Sequence, residues 1–165
     1  MEPLHTRRRR LSASPLCRGL TETELDQVLQ VTEEVTVKSG DHVFKQGELA
    51  DGLFFIARGR VQVSKDGQPL AELGIGEVLG ELSVLGGGHK RSASAKAMSE
   101  TLVMRIPTKS FRKLLEVWNV AAMKITVNLA YQLTERVVTI NEKMLEATKA
   151  QKQAAARLPQ MQWKL

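Results

Sequence analysis

Short β-type runs broken by glycine-containing turns occupy residues 34–107, and this pattern limits the possible folds more than any other feature of the chain. We expect strands at 34–37, 42–44, 52–58, 60–65, 70–73, 92–97 and 101–107. The turn signals between them are Ser39-Gly40-Asp41, Gln46-Gly47, Arg58-Gly59, Lys65-Asp66-Gly67 and Gly74-Ile75-Gly76. Regular short strands with glycine turns are typical of an antiparallel sandwich or jelly roll, which avoids exposed edges by closing on itself. The sequence therefore predicts a mainly β fold with flanking helices.

Helical patterns lie on both sides of these runs. Thr21 and Glu24 have the spacing of a capping box, and Leu25, Val28 and Leu29 follow at helical spacing. A second helical face begins at Phe111. Beyond it, a long segment without proline carries an apolar seam at alternating spacings of three and four, made of Met123, Thr126, Ala130, Leu133, Val137, Ile140, Met144 and Ala147. This seam predicts one long C-terminal helix, too long to serve only as core for the β domain.

Composition sets broader limits. The chain has 165 residues, 42% of them hydrophobic, and a net charge of +6, which suits one soluble domain with an appendage. No apolar run approaches the ~20 residues of a membrane span. The single Cys17 excludes an internal disulfide framework and fits a reducing compartment, so we expect a cytoplasmic protein. Scarce aromatic residues argue against base stacking as the main activity.

Four consecutive arginines, Arg7 to Arg10, stand near the N-terminus. The segment after them is too short and polar for an export signal. The run Arg9-Arg10-Leu11-Ser12 resembles the target pattern of basophilic kinases, so phosphorylation of Ser12 stays open. The simpler interpretation is a disordered, solvated basic arm over residues 1–15, with folded structure beginning near Pro15.

Residues 80–93 carry the chemistry that bears most on function. They include Gly80 and Glu81, then an apolar turn, three glycines and Arg91-Ser92. Glycine backbone and a helix N-terminus can approach a phosphate. Arginine offers a planar charged fork, and a carboxylate can accept hydrogen bonds from a sugar hydroxyl. A ligand that has both a phosphate and a ribose suits this set.

The spacing resembles the phosphate-binding cassette of cyclic-nucleotide-binding domains, in the form of the bacterial catabolite activator proteins. Residues 40–48 and 51–63 are similar to a turn and a hairpin of the same family. The resemblance runs from about residue 16 to about residue 116. It implies a jelly-roll β-roll, a double-stranded β-helix, followed by a long C-terminal helix that forms a parallel homodimer.

The resemblance also implies residue roles. Gly80 would present backbone to the cyclic phosphate, and Glu81 would accept from the ribose 2′-hydroxyl. Arg91 would pair with the exocyclic phosphate oxygens. Arg136 and Val137 stand where the catabolite activators place two hydroxyl residues that contact adenine. Base selectivity therefore stays open between cAMP, the first choice, cGMP, the second, and a cyclic dinucleotide, the third. The further residues implied at the ligand are Leu82 and Ser83, on the short helix, and Ser92 beside the phosphate or base.

One departure and several alternatives accompany this interpretation. His89-Lys90 stand where many eukaryotic members have a proline before the arginine. Glu81 and Arg91 could form only a loop ion pair, and the fold could survive as a ligandless dimeric scaffold. An arm that binds nucleic acid is a third possibility. The histidines do not have metal-ligand spacing, and no catalytic motif stands out, so we expect neither a metal site nor an enzyme.

These inferences define the expected organisation. Residues 1–15 form the arm, 16–116 the cyclic-nucleotide-binding domain, 117–156 the dimerisation helix and 157–165 a flexible tail. The resemblance would require roughly 60 further residues for a helix-turn-helix, so we expect no sequence-specific DNA binding. The expected function is a non-catalytic sensor that signals to an unknown protein partner by rearranging its C-terminal helix.

Overall fold

The computed structural model describes residues 3–85 and 90–157, in which eight antiparallel strands form two four-stranded sheets. The strands are β1 (Glu33–Val37), β2 (His42–Phe44), β3 (Gly52–Arg58), β4 (Val61–Lys65), β5 (Gln68–Leu73), β6 (Val78–Leu79), β7 (Ser94–Ala97) and β8 (Thr101–Pro107). One sheet has the order β1-β8-β3-β6, and the other has the order β2-β7-β4-β5. The predicted β-roll is confirmed, and β6 is the one strand in this region that the sequence pattern did not predict.

The core of the β-roll lies among alternate residues of the strands. Phe54 and Ile56 of β3 belong to a buried cluster with Val61 of β4 and Ala95 of β7. The intervening residues of β3, Leu53 and Phe55, are also buried, and they point to the opposite face because side chains alternate along a strand. Helices α1 (Leu4–Ser12) and α3 (Leu82–Leu85) contact β3. Strand β3 is therefore covered on both faces.

Three more α-helices and one short 3-10 helix, Pro15–Cys17, complete the described chain. The α-helices are α2 (Glu22–Gln30), α4 (Thr108–Glu116) and α5 (Val120–Arg157). The capping box is confirmed at the start of α2, where the Thr21 side chain accepts from the Glu24 N–H and the Glu24 carboxylate accepts from the Thr21 N–H. Over the described residues, no helix is both long and apolar enough to cross a membrane.

The N-terminal segment differs from the disordered arm that the charge pattern predicted. Residues Leu4–Ser12 form α1, and Arg8 donates to both carboxylate oxygens of Asp26 at 2.9 and 2.7 Å. Arg7 donates to Glu34 at 2.7 Å. The arginine block folds because acidic side chains of α2 and β1 neutralise part of its charge. Ser12 is exposed at the end of this helix, and its phosphorylation stays a prediction.

We expect Leu11→Ala to lower the free energy of unfolding by about 2 kcal/mol, near the low end for a buried leucine because a terminal helix can partly collapse into the cavity. Leu11 of α1 is fully buried. Urea denaturation measures the change, with Leu4→Ala as the control because Leu4 lies half exposed on the same helix. Equal stability of the Leu11 variant and the parent would contradict the docked helix.

Hydrogen bonds connect the first turns of α5 to α2 and to the residues just before α2. Lys124 donates to both oxygens of Glu24 at 2.8 and 2.9 Å, and the Asn128 side chain donates to the carbonyl oxygens of Leu16 and Arg18. The compact unit that contains the β-roll accordingly extends to Leu129, beyond the boundary at residue 116 expected from sequence, and a second unit begins at Ala130. The physical reason is burial, since Ala121, Ala122, Ile125 and Leu129 belong to the core.

Acidification should weaken the interaction between Lys124 and Glu24. Hydrogen bonds from Lys124 and from the Thr21 N–H hold the pKa of the Glu24 carboxyl below its usual range. Because folding lowers this pKa, the stabilisation is present above the unfolded value and is lost as the pH falls below about 4. We expect Glu24→Gln to reduce the decrease in Tm that occurs as the pH falls. Lys124→Gln should reduce it too, and the double variant should add nothing; additive effects would contradict a shared interaction.

Candidate functional site

The loop that follows β6 and the segment that precedes β7 meet at the start of β3. Gly80 begins the first of these with a φ of +75°, a left-handed conformation that glycine adopts without strain. Glu81 then leads into α3. Arg91 is held from two sides, because its N–H donates to the Glu48 carbonyl at 2.7 Å and its carbonyl accepts from the Gly47 N–H at 2.9 Å. Backbone conformation and backbone hydrogen bonds thus fix the main-chain positions of Gly80 and Arg91.

The Arg91 guanidinium is buried inside the protein, with a side chain only 3% exposed. Its Cζ atom lies 4.1 Å from the centroid of the Phe44 ring and 5.3 Å from that of Phe54. Cations within about 6 Å of an aromatic face are attracted by its quadrupole, more strongly when water is excluded. Nη2 donates to Asp51 Oδ1 at 3.1 Å and to the Gly52 carbonyl at 3.0 Å. These contacts hold the guanidinium plane in one orientation.

Two other donors of the same guanidinium, Nε and Nη1, are buried and have no hydrogen-bond partner among the described residues. The hydroxyl of Ser83 on α3, itself 1% exposed, is in the same situation. A buried donor without a partner costs roughly 1–3 kcal/mol, more for a charged group. Burial lowers the pKa of the Arg91 guanidinium, and the charge of Asp51 opposes that effect. The Arg91 guanidinium is therefore a buried cation whose remaining donors suit a hydrogen-bond acceptor.

Gly80 has a steric role at this point. A Cβ atom added to it would overlap Nη1 of Arg91 and would lie 2.8 Å from the Gly52 carbonyl oxygen. Only a residue without a side chain leaves room for the guanidinium beside this turn. Nη1 therefore lies close to Gly80, and a phosphate shared by Gly80 and Arg91 stays a prediction.

The other residues expected at the ligand have different positions. Glu81 is partly buried at the turn before α3, and Ser92 is exposed next to Arg91. Leu82 begins α3, but its side chain lies outside the described part of the structure, as do residues 86–89 with their three glycines and His89. Arg136 lies on α5 in the unit that begins at Ala130, so its contact with a base stays a prediction.

Sequence reasoning did not identify Asp51, Phe44 or Phe54 as parts of the site. Asp51 and Phe54 belong to the hairpin pattern of residues 51–63. That pattern predicts a β-roll and does not indicate a role at the ligand. Phe44 ends a strand, where an apolar residue indicates core. One sequence feature could have indicated Asp51. A buried arginine needs a carboxylate partner, and Asp51 directly precedes the glycine that opens β3.

Comparison with known proteins identifies the family of the chain. A family model described as "Cyclic nucleotide-binding domain" matches residues 34–117, a range that contains Gly80, Ser83 and Arg91. The chain belongs to the cyclic nucleotide-binding domain family. Within this family, the part of the chain after residue 117 lies beyond the matched domain.

Three relatives place the family match in context. The chain is 33% identical over 130 residues to the cyclic AMP receptor protein of Thermus thermophilus, covering 76% of this chain and 60% of that protein. It is 33% identical over 135 residues to glutaminase 1 of Bradyrhizobium diazoefficiens, covering 81% of this chain but 22% of that one. The crystal structure of the Thermus thermophilus catabolite activator protein superposes with a TM-score of 0.68 at 32% identity, over 81% of this chain and 64% of the other. The chain therefore spans less than two thirds of each of these proteins.

Among residues 3–85 and 90–157, no group of three His, Cys, Asp or Glu side chains is placed to hold a metal ion. The groups that the structure brings together at Arg91 are its buried guanidinium, the Asp51 carboxylate and the backbone of Gly52, with Gly80 close beside them. Two nitrogens of the guanidinium have no hydrogen-bond partner among the described residues, which suits an anionic ligand.

Proposed function

We propose that the protein is a non-catalytic regulatory sensor that binds a cyclic nucleotide, cAMP in preference to cGMP. The observation that carries the proposal is the buried Arg91, with two unpartnered donors among the described residues, beside a glycine whose missing side chain makes room for it. A cyclic phosphate would supply the acceptor that these donors lack. The family membership supports the ligand class, and the similarity to a protein named cyclic AMP receptor protein supports adenine as the base.

In this proposal the ligand contacts follow the chain order. The exocyclic phosphate oxygens accept from Arg91 and from the Ser83 hydroxyl, while Gly80 allows the close approach. Glu81 accepts from the ribose 2′-hydroxyl. Arg136 covers the base from α5, with Ser92 at the edge of the site. A phosphate that accepts from buried donors contributes more binding free energy than one that accepts from exposed donors, because buried donors have already lost their water.

Signalling would pass through the junction between α4 and α5. Trp118 lies there with a side chain 77% exposed and a φ of +56°, which is unfavourable for a large side chain. Its neighbours Val117 and Val120 are also exposed. The exposed apolar side chains at this strained junction would form the two-state element. For coupling, the ligand must prefer one of the two arrangements.

The seam of α5 supports a parallel homodimer. In the second unit, Val137, Ile140 and Met144 are each more than half exposed. We expect Ile140→Glu to shift the protein from dimer to monomer in light scattering, because it places a charge in an apolar seam. Glu142→Gln is the control, since Glu142 lies outside the seam and is also exposed. A parent chain that is monomeric at high concentration would contradict the proposal.

Calorimetric titration of nucleotide-free protein with cAMP, and separately with cGMP, tests the sensor. We expect saturation by cAMP at micromolar or lower Kd, one site per chain, and weaker binding of cGMP. A Trp163→Phe background leaves Trp118 as the single tryptophan, so its emission should change on binding if the junction moves. No heat and no thermal stabilisation with either nucleotide would favour a ligandless dimeric scaffold. A cytoplasmic protein that contacts α5 is the proposed downstream partner.

A further inference from the structure

We propose that Arg105 is a positioning residue for the ligand-binding arginine: it holds one oxygen of Asp51 and so prevents that carboxylate from closing over the Nε edge of Arg91. The inference rests on the proposed function, because it concerns how the Arg91 site is kept open for an anion. Asp51 is an internal anion beside a buried cation. It is therefore a competitor for any phosphate that binds there.

The two oxygens of Asp51 have different partners. Oδ1 accepts from Nη2 of Arg91 at 3.1 Å, while Oδ2 accepts from Nη2 of Arg105 at 2.6 Å. The shorter contact is the one to Arg105. As long as Oδ2 is engaged there, Asp51 reaches Arg91 through one oxygen only.

Arg105 is itself held in place. It lies directly across from Glu33 in the β1–β8 register, and its Nη1 donates to Glu33 Oε2 at 2.7 Å. A Cβ atom on Gly52 would lie only 3.1 Å from Arg105 Nε, so the arginine side chain runs closely over that glycine. The result is a row of alternating charges, in the order Arg91, Asp51, Arg105 and Glu33.

The backbone of Asp51 is also fixed, because its carbonyl accepts from the Thr108 N–H at 2.9 Å. Loss of Arg105 would therefore release the side chain of Asp51 without displacing its main chain. The Nε and Nη2 groups of an arginine lie on one edge of the guanidinium, and a carboxylate binds such an edge through two parallel hydrogen bonds. A released Asp51 would take both, and would occupy a donor that is unpartnered among the described residues.

The first measurement uses ligand-free protein, so it does not depend on nucleotide binding. The Arg91 Nε–H resonance is identified in a ¹⁵N-labelled sample by its loss in Arg91→Lys. We expect Arg105→Gln to move this resonance downfield, as a new hydrogen bond to carboxylate requires, and Arg58→Gln to leave it in place. Arg58 is the matched control because it forms an exposed ion pair with Glu100 and its loss changes net charge equally. An unmoved resonance in Arg105→Gln would overturn the proposal.

The second measurement is nucleotide affinity. Arg105→Gln should weaken cAMP binding by about three- to tenfold, a modest effect because Asp51 is 60% exposed and screened by water. Arg105→Lys should restore part of the loss, since it keeps one donor for Asp51. In an Asp51→Asn background, the same Arg105→Gln change should alter affinity by less than about twofold. An equal loss in both backgrounds would show a general charge effect and would overturn the positioning role.

The two proposals can fail separately. If the parent protein binds neither nucleotide while Arg105→Gln still moves the Arg91 resonance, the sensor function is wrong and the control of Arg91 by Arg105 stands. If the parent binds cAMP and Arg105→Gln changes neither the resonance nor the affinity, the sensor function stands and the role of Arg105 is wrong.

Discussion

Replacing Arg91 with methionine should weaken nucleotide binding strongly and leave the ligand-free protein at least as stable as the parent. Binding should lose about 2–4 kcal/mol, roughly 30- to 1000-fold in Kd, because the phosphate loses a charged partner that is buried. Stability should not fall in parallel, because the guanidinium is buried and two of its nitrogens find no hydrogen-bond partner in the described part of the chain. Replacing a buried ion pair with apolar side chains of similar volume is often neutral or stabilising, and removing one partner is costly only where the other charge is left buried and unpaired. Asp51, the partner left behind, is 60% exposed. Methionine can also keep contact with Phe44 and Phe54.

Titration calorimetry and thermal unfolding of the same preparations measure the two effects. Arg60→Met is the matched control, because Arg60 is exposed and pairs with Glu72. It should change neither quantity. Asp51 stays paired with Arg105 in the Arg91 variant, so no uncompensated buried charge is created. Unchanged affinity in Arg91→Met would place the ligand elsewhere, and a large loss of stability would show that Arg91 is mainly a structural residue.

Gly80→Ala should damage both stability and binding. Alanine at a φ of +75° is strained, and its Cβ would overlap Arg91 Nη1 and crowd the Gly52 carbonyl. The left-handed backbone costs about 1–2 kcal/mol and overpacking adds about 1–3, so we expect a loss of about 2–5 kcal/mol in the free energy of unfolding. Because the guanidinium must shift, nucleotide affinity should fall by roughly 100-fold or more.

Gly40→Ala separates backbone strain from steric overlap. Gly40 has a φ of +90°, similar to that of Gly80, but a Cβ atom there would meet nothing within 4 Å. It should lose only about 1–2 kcal/mol of stability and keep full affinity. Urea denaturation and calorimetry compare the two variants. If they lose the same stability and neither loses affinity, close approach at Gly80 is not what holds Arg91 in its binding orientation.

Much of the β-roll follows from local sequence. Runs bounded by glycine turns predicted β3 and β8 at their observed bounds, and the spacing of Thr21 and Glu24 predicted the cap of α2. Strand β6 was missed because Val78–Leu79 is too short to show alternation. The N-terminal helix was missed for another reason. Four arginines in a row indicate a solvated segment unless acidic partners are known, and those partners come from α2 and from β1.

The sequence by itself determined which residues could bind a phosphate, because glycine and arginine at that spacing carry their chemistry with them. It also determined the strands and turns, which depend on neighbouring residues. Only the tertiary structure decided that Arg91 is buried on Phe44, that Asp51 divides its oxygens between Arg91 and Arg105, and that Glu33 holds Arg105 in turn. These partners lie 40 to 72 positions apart in the pairs Arg91–Asp51, Arg105–Asp51 and Arg105–Glu33. Burial and shared charge depend on such distant contacts, so no local pattern encodes them.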